Sequence, residues 1–353
     1  MISRIFCVTG LIVAICPCVG TVSLAQTGTA NQQLVRPPEA QTMRARIDCN
    51  MAKAMSLANR GHMPEATEIA DRVWCETHDP AVGFAVVQLL EKTATTLPTP
   101  CSMQPKQRAA NIARELIVQD SLPRSFQRQL PVAIYHEAVA LAEAGQLDLA
   151  IKVLRESFDV GFTGFDIAAK ETAFLESGVD SKLHSVVEES REKAILRLKD
   201  ESKAELDSFN SFPFDLETVD IEARNFSLKS LQGKIVVIDF WGTWCPLCRQ
   251  QLPSLARLQK EFPNTVEVVG VAFENGMPES ASEHVQESML DSNVNYRCVL
   301  GDPAIQKSVP GFSGFPSSLF LDRSGKVRML VAGENSYEKY LSIVQLLMEE
   351  TGQ

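Results

Sequence analysis

The stretch VVIDFWGTWCPLCRQQLP, residues 236–253, places two cysteines three apart directly after an apolar, β-branched run. IVVIDF (235–240) is continuously apolar with one acid in it, which predicts a buried central strand. Gly242, Thr243 and Trp244 then turn the chain, and a helix is expected to begin around Cys245. Pro246 suits the first helical turn, where a missing N–H costs nothing. Cys245 then stands at a helix N-terminus, where unpaired N–H groups and the helix dipole favour an anion. Such a position lowers a thiol pKa from about 8.5 toward neutral. Cys248 follows one turn later on the same face, within reach of a disulfide. The pair therefore reads as a redox centre in which one thiol attacks and the other resolves. A purely structural bridge is the competing reading of a bare CxxC. A zinc site would need a second Cys/His pair, and only His284 among the five histidines lies in this part of the chain.

Downstream, VEVVGVAF (266–273), SSLFLD (317–322) and KVRMLVAG (326–333) are further short β-rich runs. Helical patterns lie at 247–261, 279–291 and 337–350. Strands alternating with helices predict an α/β domain over residues 207–353, with its sheet layered between helices.

Residues 41–206 have a different grammar, with helical apolar spacing and few β-branched runs, and predict an all-α helical-hairpin domain. AMSLANRGHMPEA (54–66) and AVALAEAGQLDLA (138–150) share Ala, Leu, Ala, Gly and Ala at equal offsets. Each reads as helix, glycine turn, helix. They loosely resemble tetratricopeptide-type hairpins, and a plain helical bundle with Ala-rich contacts explains them as well. The charged stretch 188–209 reads as a long solvated helix linking the halves. Cys49 opens the first hairpin and Cys75 lies near its end, so a structural disulfide between them is geometrically sensible, stabilising on the order of 3 kcal/mol. Cys101, in a Pro-rich connection, is an alternative partner for either.

At the N-terminus, Arg4 is followed by an apolar run, Ile5–Ile15, and by Ser23-Leu24-Ala25. This predicts a signal peptide over 1–25, cleaved after Ala25, with 26–40 as a flexible lead-in. An uncleaved membrane anchor is the alternative. Cleavage leaves six of nine cysteines in a compartment where disulfides persist. A net charge of −10 over 353 residues argues against nucleic acid as a partner.

Residues 207–353 resemble the thioredoxin superfamily, in particular the secreted TlpA/ResA-like thiol–disulfide oxidoreductases. FWGTWCPLCRQQLP is close to their active-site signature, LKSLQGKIVVIDFW matches the segment leading into it, and GFPSSLFLDRSGKV matches the second signature. The resemblance implies Cys245 as nucleophile, Cys248 as resolving thiol, Pro253 as a helix-kinking proline and Pro316 in a cis-proline loop facing the disulfide. It makes Asp239 the buried acid that exchanges the resolving thiol's proton; a hydrogen-bonded acid with no catalytic part is the alternative. Trp241, Trp244, Pro246 and Phe315 are the expected partner-binding residues. The implied partners are proteins with exposed disulfides or thiols and a membrane electron donor or acceptor, with no cofactor and no metal, in the periplasm. Two departures stand out: Gln251 replaces a Glu found in many relatives, and Phe315 is bulkier than usual before the proline. Cys298 reads as a small buried hydrophobe or, alternatively, as a regulatory thiol. Two other functions compete. One is an interaction scaffold with an accessory redox domain. The other is a peroxiredoxin-like peroxidase, whose Pro-x-x-x-Thr-x-x-Cys pattern is missing here.

Overall fold

The computed structural model describes residues 38–98, 101–176, 178–275 and 280–350. The expected signal peptide, with Cys7, Cys16 and Cys18, lies outside the described residues. Met1–Arg46 and Ile47–Gln353 form separate compact units; the described part of the first is the beginning of one helix.

That helix is α1 (Pro38–Asn59), so the last residues of the expected lead-in are helical. It is followed by α2 (Met63–Thr77), α3 (Pro80–Thr96), α4 (Met103–Gln119), α5 (Arg124–Gln127), α6 (Leu130–Glu143) and α7 (Leu147–Asp159). Two short turns, α8 (Phe165–Ala168) and α9 (Thr172–Leu175), lead into the long α10 (Asp180–Ser208). Successive helices pack in series, α2 on α3, α3 on α4, α4 on α6, α6 on α7 and α7 on α10.

The internal echo has a matching geometry. Ala54, Ala58 and Ala66 are buried, as are their counterparts Ala138, Ala142 and Ala150. Gly61 (φ +86°) and Gly145 (φ +74°) both take the left-handed conformation that ends the first helix. In each turn the next N–H reaches back five residues, from His62 to Leu57 O at 3.0 Å and from Gln146 to Leu141 O at 2.9 Å. An L side chain in this conformation costs about 1–2 kcal/mol. Gly145→Ala is therefore expected to lower the urea midpoint by about that energy with the slope unchanged. An unaltered midpoint would mean that the turn tolerates a side chain.

The C-terminal half opens with a hairpin of β1 (Glu217–Val219) and β2 (Asn225–Ser227), then a 3-10 turn, Leu228–Leu231. Then come β3 (Ile235–Trp241), α11 (Pro246–Glu261), β4 (Val266–Ala272), α12 (Ala281–Asp291), β5 (Arg297–Leu300), α13 (Pro303–Lys307), β6 (Ser317–Leu321), β7 (Val327–Ala332) and α14 (Tyr337–Glu350). The sheet order is β5-β4-β3-β6-β7. β3, β4 and β5 run parallel, β6 runs antiparallel to β3, and β7 antiparallel to β6. All seven residues of β3 are buried, as its unbroken apolar run requires. Alternation sends Ile235, Val237 and Trp241 toward α11 and α14, and Val236, Ile238 and Phe240 toward Phe214, Leu228 and Val309 on the other face.

The charged stretch 188–209 is not simply a solvated helix. It belongs to α10, which packs along α14 and joins the two halves. Ala194, Ser202 and Leu206 are buried, and Ser202 Oγ meets Ser342 Oγ at 3.1 Å. Small residues allow the close approach, while the charges pair along its edges: Lys339 with Glu205 (3.0 Å), Lys199 with Glu349 (2.5 Å) and Arg191 with Glu338 (3.4 Å). Composition announced the charges, but their partners sit about 150 positions downstream.

Candidate active site

β3 ends at Trp241 in the centre of the sheet, so the turn that follows rises from the carboxyl edge of the strands, where open α/β sheets place their sites. Cys245 caps α11, and Pro246 fills its first turn. Cys245 and Cys248 are joined by a disulfide with Cα atoms 5.3 Å apart. The Cys248 N–H donates to Cys245 Sγ at 3.2 Å, a bond that would also hold a thiolate there. The two sulfurs are not equivalent. Cys245 keeps 6% of its surface and Cys248 none, so an incoming sulfur reaches Cys245.

The turn is clamped by the end of β4, which sequence reasoning did not single out. Glu274 accepts from Thr243 N (3.0 Å) and from Thr243 Oγ1 (2.7 Å). Trp244 Nε1 donates to Phe273 O at 2.7 Å. Glu274's position just past a strand end was the available signal. The register of β6 on β3, Phe240 opposite Ser317, brings the cis Phe315–Pro316 peptide beside the turn. The Phe315 ring meets Trp244 edge-on at 5.4 Å and Phe273 at 5.1 Å. Trp244 and Leu247 are exposed by 44% and 49%, and Pro246 is exposed beside them. Pro253 lies inside α11.

Trp241 is a correction. Expected among the partner-binding residues, it is 1% exposed. Strand alternation turns it inward with Ile235 and Val237, so it packs against the site from below.

Asp239, two residues before Trp241 and on the same side of β3, is fully buried. Gln251 Nε2 donates to its Oδ1 at 2.6 Å, and Ser318 Oγ lies 3.4 Å from the same oxygen. Tyr340 Oη donates to Gln251 Oε1 at 2.8 Å. Burial pushes the Asp239 carboxyl up to about 7, against the downward pull of the Ser318 and Gln251 hydrogen bonds. Gln251 is thus part of the acid's surroundings. Tyr340 could not be found from sequence, because it reaches the acid only when α14 folds back 89 positions later.

Gly270 stands opposite Asp239 in β4 and Cys298 opposite Gly270 in β5. A Cβ on Gly270 would stand 3.0 Å from both Cys298 Sγ and Trp241 Nε1, so a larger residue here would have to push these buried side chains aside by a few tenths of an ångström. Cys298 is buried, and burial pushes its thiol up to about 12. At pH 8 only about one in ten thousand such thiols is ionised. Alkylation of the native protein at pH 8 is expected to leave Cys298 unlabelled while Cys49, Cys75 and Cys101 react. Rapid labelling of Cys298 would restore the regulatory-thiol reading.

Cys49 and Cys75, the candidate structural pair, are free and exposed. Cys75 turns toward α4, where Arg108 Nη2 lies 3.3 Å from its sulfur and also binds Asp71 one turn earlier. Cys49 lies off the α1 face that Ala54 and Ala58 bury. Among the described residues, no group of three or more His, Cys, Asp or Glu is placed to hold a metal ion. A groove bounded by Phe212, Phe214, Leu228 and Val236 lies at the opposite end of β3 and takes no part in the site.

A central strand, a CxxC helix beginning beyond its carboxyl end, and an antiparallel pair entered through a cis-proline make the C-terminal half a thioredoxin-like domain. Residues 210–329 match the AhpC/TSA family. The thioredoxin-like protein YneN of Bacillus subtilis is 29% identical over 120 residues, 34% of this chain and 68% of that protein. The thiol–disulfide oxidoreductase ResA of the same organism is 29% identical over 130 residues, 36% of this chain and 70% of that one. Among solved structures, a thioredoxin-family thiol:disulfide interchange protein from Chlorobium tepidum is 25% identical, covers 40% of this chain and 99% of its own, and has a TM-score of 0.36. The family match begins just past the end of α10 and so leaves out the helical half.

Proposed function

We propose that the protein is a thiol–disulfide oxidoreductase whose redox centre is the Cys245–Cys248 pair and whose substrates are protein thiols or disulfides. The observation that carries this is the asymmetric disulfide at the start of α11, with Cys245 capping the helix and Cys248 sealed beneath it. The Cys245 thiolate attacks a partner disulfide, forming the mixed disulfide and releasing one partner sulfur as thiolate. Cys248 then gives its proton to Asp239 and attacks Cys245 Sγ, which closes the internal disulfide and expels the second partner sulfur. Trp244, Leu247 and Phe315 give the partner chain an apolar, aromatic place to rest.

The expected signal peptide supports work outside the cytoplasm, with a membrane donor or acceptor recharging the pair. On that reading the mature chain begins at Gln26, which N-terminal sequencing of the exported protein checks. Among the described residues no helix is long and apolar enough to cross a membrane. The AhpC/TSA match raises peroxidase chemistry as a second reading. It is the weaker one, since the hydroxyl of Thr243 is held by Glu274 and Cys245 already has a resolving partner at hand.

The test is equilibration with glutathione, the thiol state being read by alkylation and mass spectrometry. A potential near about −250 mV or lower marks a reductant, and one near about −150 mV or higher an oxidant or isomerase. A pair that never cycles would make the bridge structural and end the enzyme reading.

A further inference from the structure

The Gln251 amide bridges two buried groups of different character. Its Nε2 faces Asp239 Oδ1 at 2.6 Å and its Oε1 faces the Tyr340 hydroxyl at 2.8 Å. All three side chains are fully buried, and Gln251 lies one turn after Cys248 on the same face of α11. An ionised carboxylate can only accept hydrogen bonds, whereas a protonated one must also donate. A glutamine serves both states by turning its amide over; a leucine cannot, and a glutamate does so only by carrying a proton of its own.

With Asp239 ionised, the chain runs from Tyr340 O–H to the Gln251 carbonyl, and from the Gln251 N–H to the carboxylate. Every dipole then points at the charge. With Asp239 protonated, the acid donates to the Gln251 carbonyl, the amide N–H donates to Tyr340 Oη, and the Tyr340 hydrogen can turn toward Ser318 Oγ, 3.5 Å away. The bonds reverse without any group being stranded. Asp239 Oδ2 has no partner among the described residues, so Oδ1 carries the exchange.

We propose that Gln251, steered by Tyr340, is a positioning residue whose side-chain amide turns over as Asp239 gains or loses the proton of Cys248. The inference rests on Asp239 acting as the base of the resolving step. In that step the Cys248 proton passes to Asp239, the Cys245–Cys248 bond forms, and the bond from Cys245 to the partner sulfur breaks, its electrons leaving on the partner thiolate. Among the described residues, the other titratable groups that act on Asp239 are Tyr340 from α14 and Tyr296 and Cys298 from the β5 side, with Glu334 acting on Tyr340. Burial holds Tyr296, Tyr340 and Cys298 in their neutral forms through the neutral range, and among the described residues no cation sets the charge state of Asp239. Hydrogen bonding therefore remains the lever on that acid.

The test uses the reduced mature chain, from Gln26, with Cys49, Cys75 and Cys101 replaced by serine, mixed with dithiobis(nitrobenzoate) in a stopped-flow instrument. The first thionitrobenzoate released reports attack by Cys245, and the second reports resolution by Cys248. The midpoint of the second phase is followed against pH in the parent and in Gln251→Leu, Tyr340→Phe and Asp239→Asn. The parent midpoint is expected near 7. Charge-assisted bonds are the stronger ones, so losing the amide raises the Asp239 midpoint by about one pH unit or more in Gln251→Leu. Tyr340→Phe removes one oxygen and is expected to shift it the same way by less, with the first phase unaltered in both. A merely packing role would slow the second phase at every pH and leave its midpoint in place, which would overturn the proposal. If Gln251→Leu does not fold, Tyr340→Phe decides alone. If Asp239→Asn keeps the parental midpoint, Asp239 is not the base, a failure distinct from an unmoved midpoint in the other two variants.

Discussion

Cys248→Ser is expected to leave a partner protein covalently attached to Cys245, and Cys245→Ser to attach nothing. The asymmetry follows from burial. Cys245 has residual exposure at the cap of α11, where the Cys248 N–H and the helix terminus stabilise a thiolate, whereas Cys248 is sealed beneath it. A serine hydroxyl does not ionise near neutral pH, so Cys245→Ser should cost on the order of a thousandfold or more in turnover. In Cys248→Ser the first exchange still occurs, but no internal nucleophile remains to break the mixed disulfide. The adduct should accumulate to near one partner per chain and dissolve on adding dithiothreitol. Non-reducing electrophoresis followed by mass spectrometry reads both outcomes. Trapping by Cys245→Ser in place of Cys248→Ser would reverse the assigned roles.

The sequence made the site's chain-local parts legible, because their chemistry is written in adjacent residues. An unbroken apolar run becomes β3, Pro246 marks the start of α11, and the CxxC spacing places both sulfurs on one helical turn. What it concealed is long-range. Glu274 meets Thr243 across 31 positions, Tyr340 meets Gln251 across 89, and Ser202 meets Ser342 across 140. None of these pairs has a local signal, since each depends on which strand or helix returns to lie beside another. The same limit explains the misjudged residues. A tryptophan next to a redox motif suggests a partner contact, but its parity along β3 makes Trp241 part of the core. Two cysteines at the ends of a hairpin suggest a bridge, but helix phase turns Cys75 toward Arg108 on α4.

Asp239→Asn is expected to make the protein more stable at pH 8 and no more stable at pH 4, while impairing resolution by Cys248. In an unfolded chain the carboxyl titrates near about 3.9. In the folded protein burial raises it to about 7. Between those values the native state holds a proton that the unfolded state has lost, so stability falls as pH rises through the window. The penalty for a buried charge is absent below about pH 4 and fully present above about pH 7. Asparagine removes the charge and still offers Gln251 Nε2 an oxygen to donate to. Three pH units correspond to about 4 kcal/mol, an upper bound on the gain at pH 8. Urea unfolding of the oxidised parent and variant at the two pH values checks it. An equal difference at both would mean that burial does not raise the Asp239 carboxyl above its unfolded value. A cost of this size, carried by one aspartate inside an otherwise apolar strand, is what selection for stability alone would remove, and the proton that Asp239 would accept in the proposed resolving step accounts for its being kept.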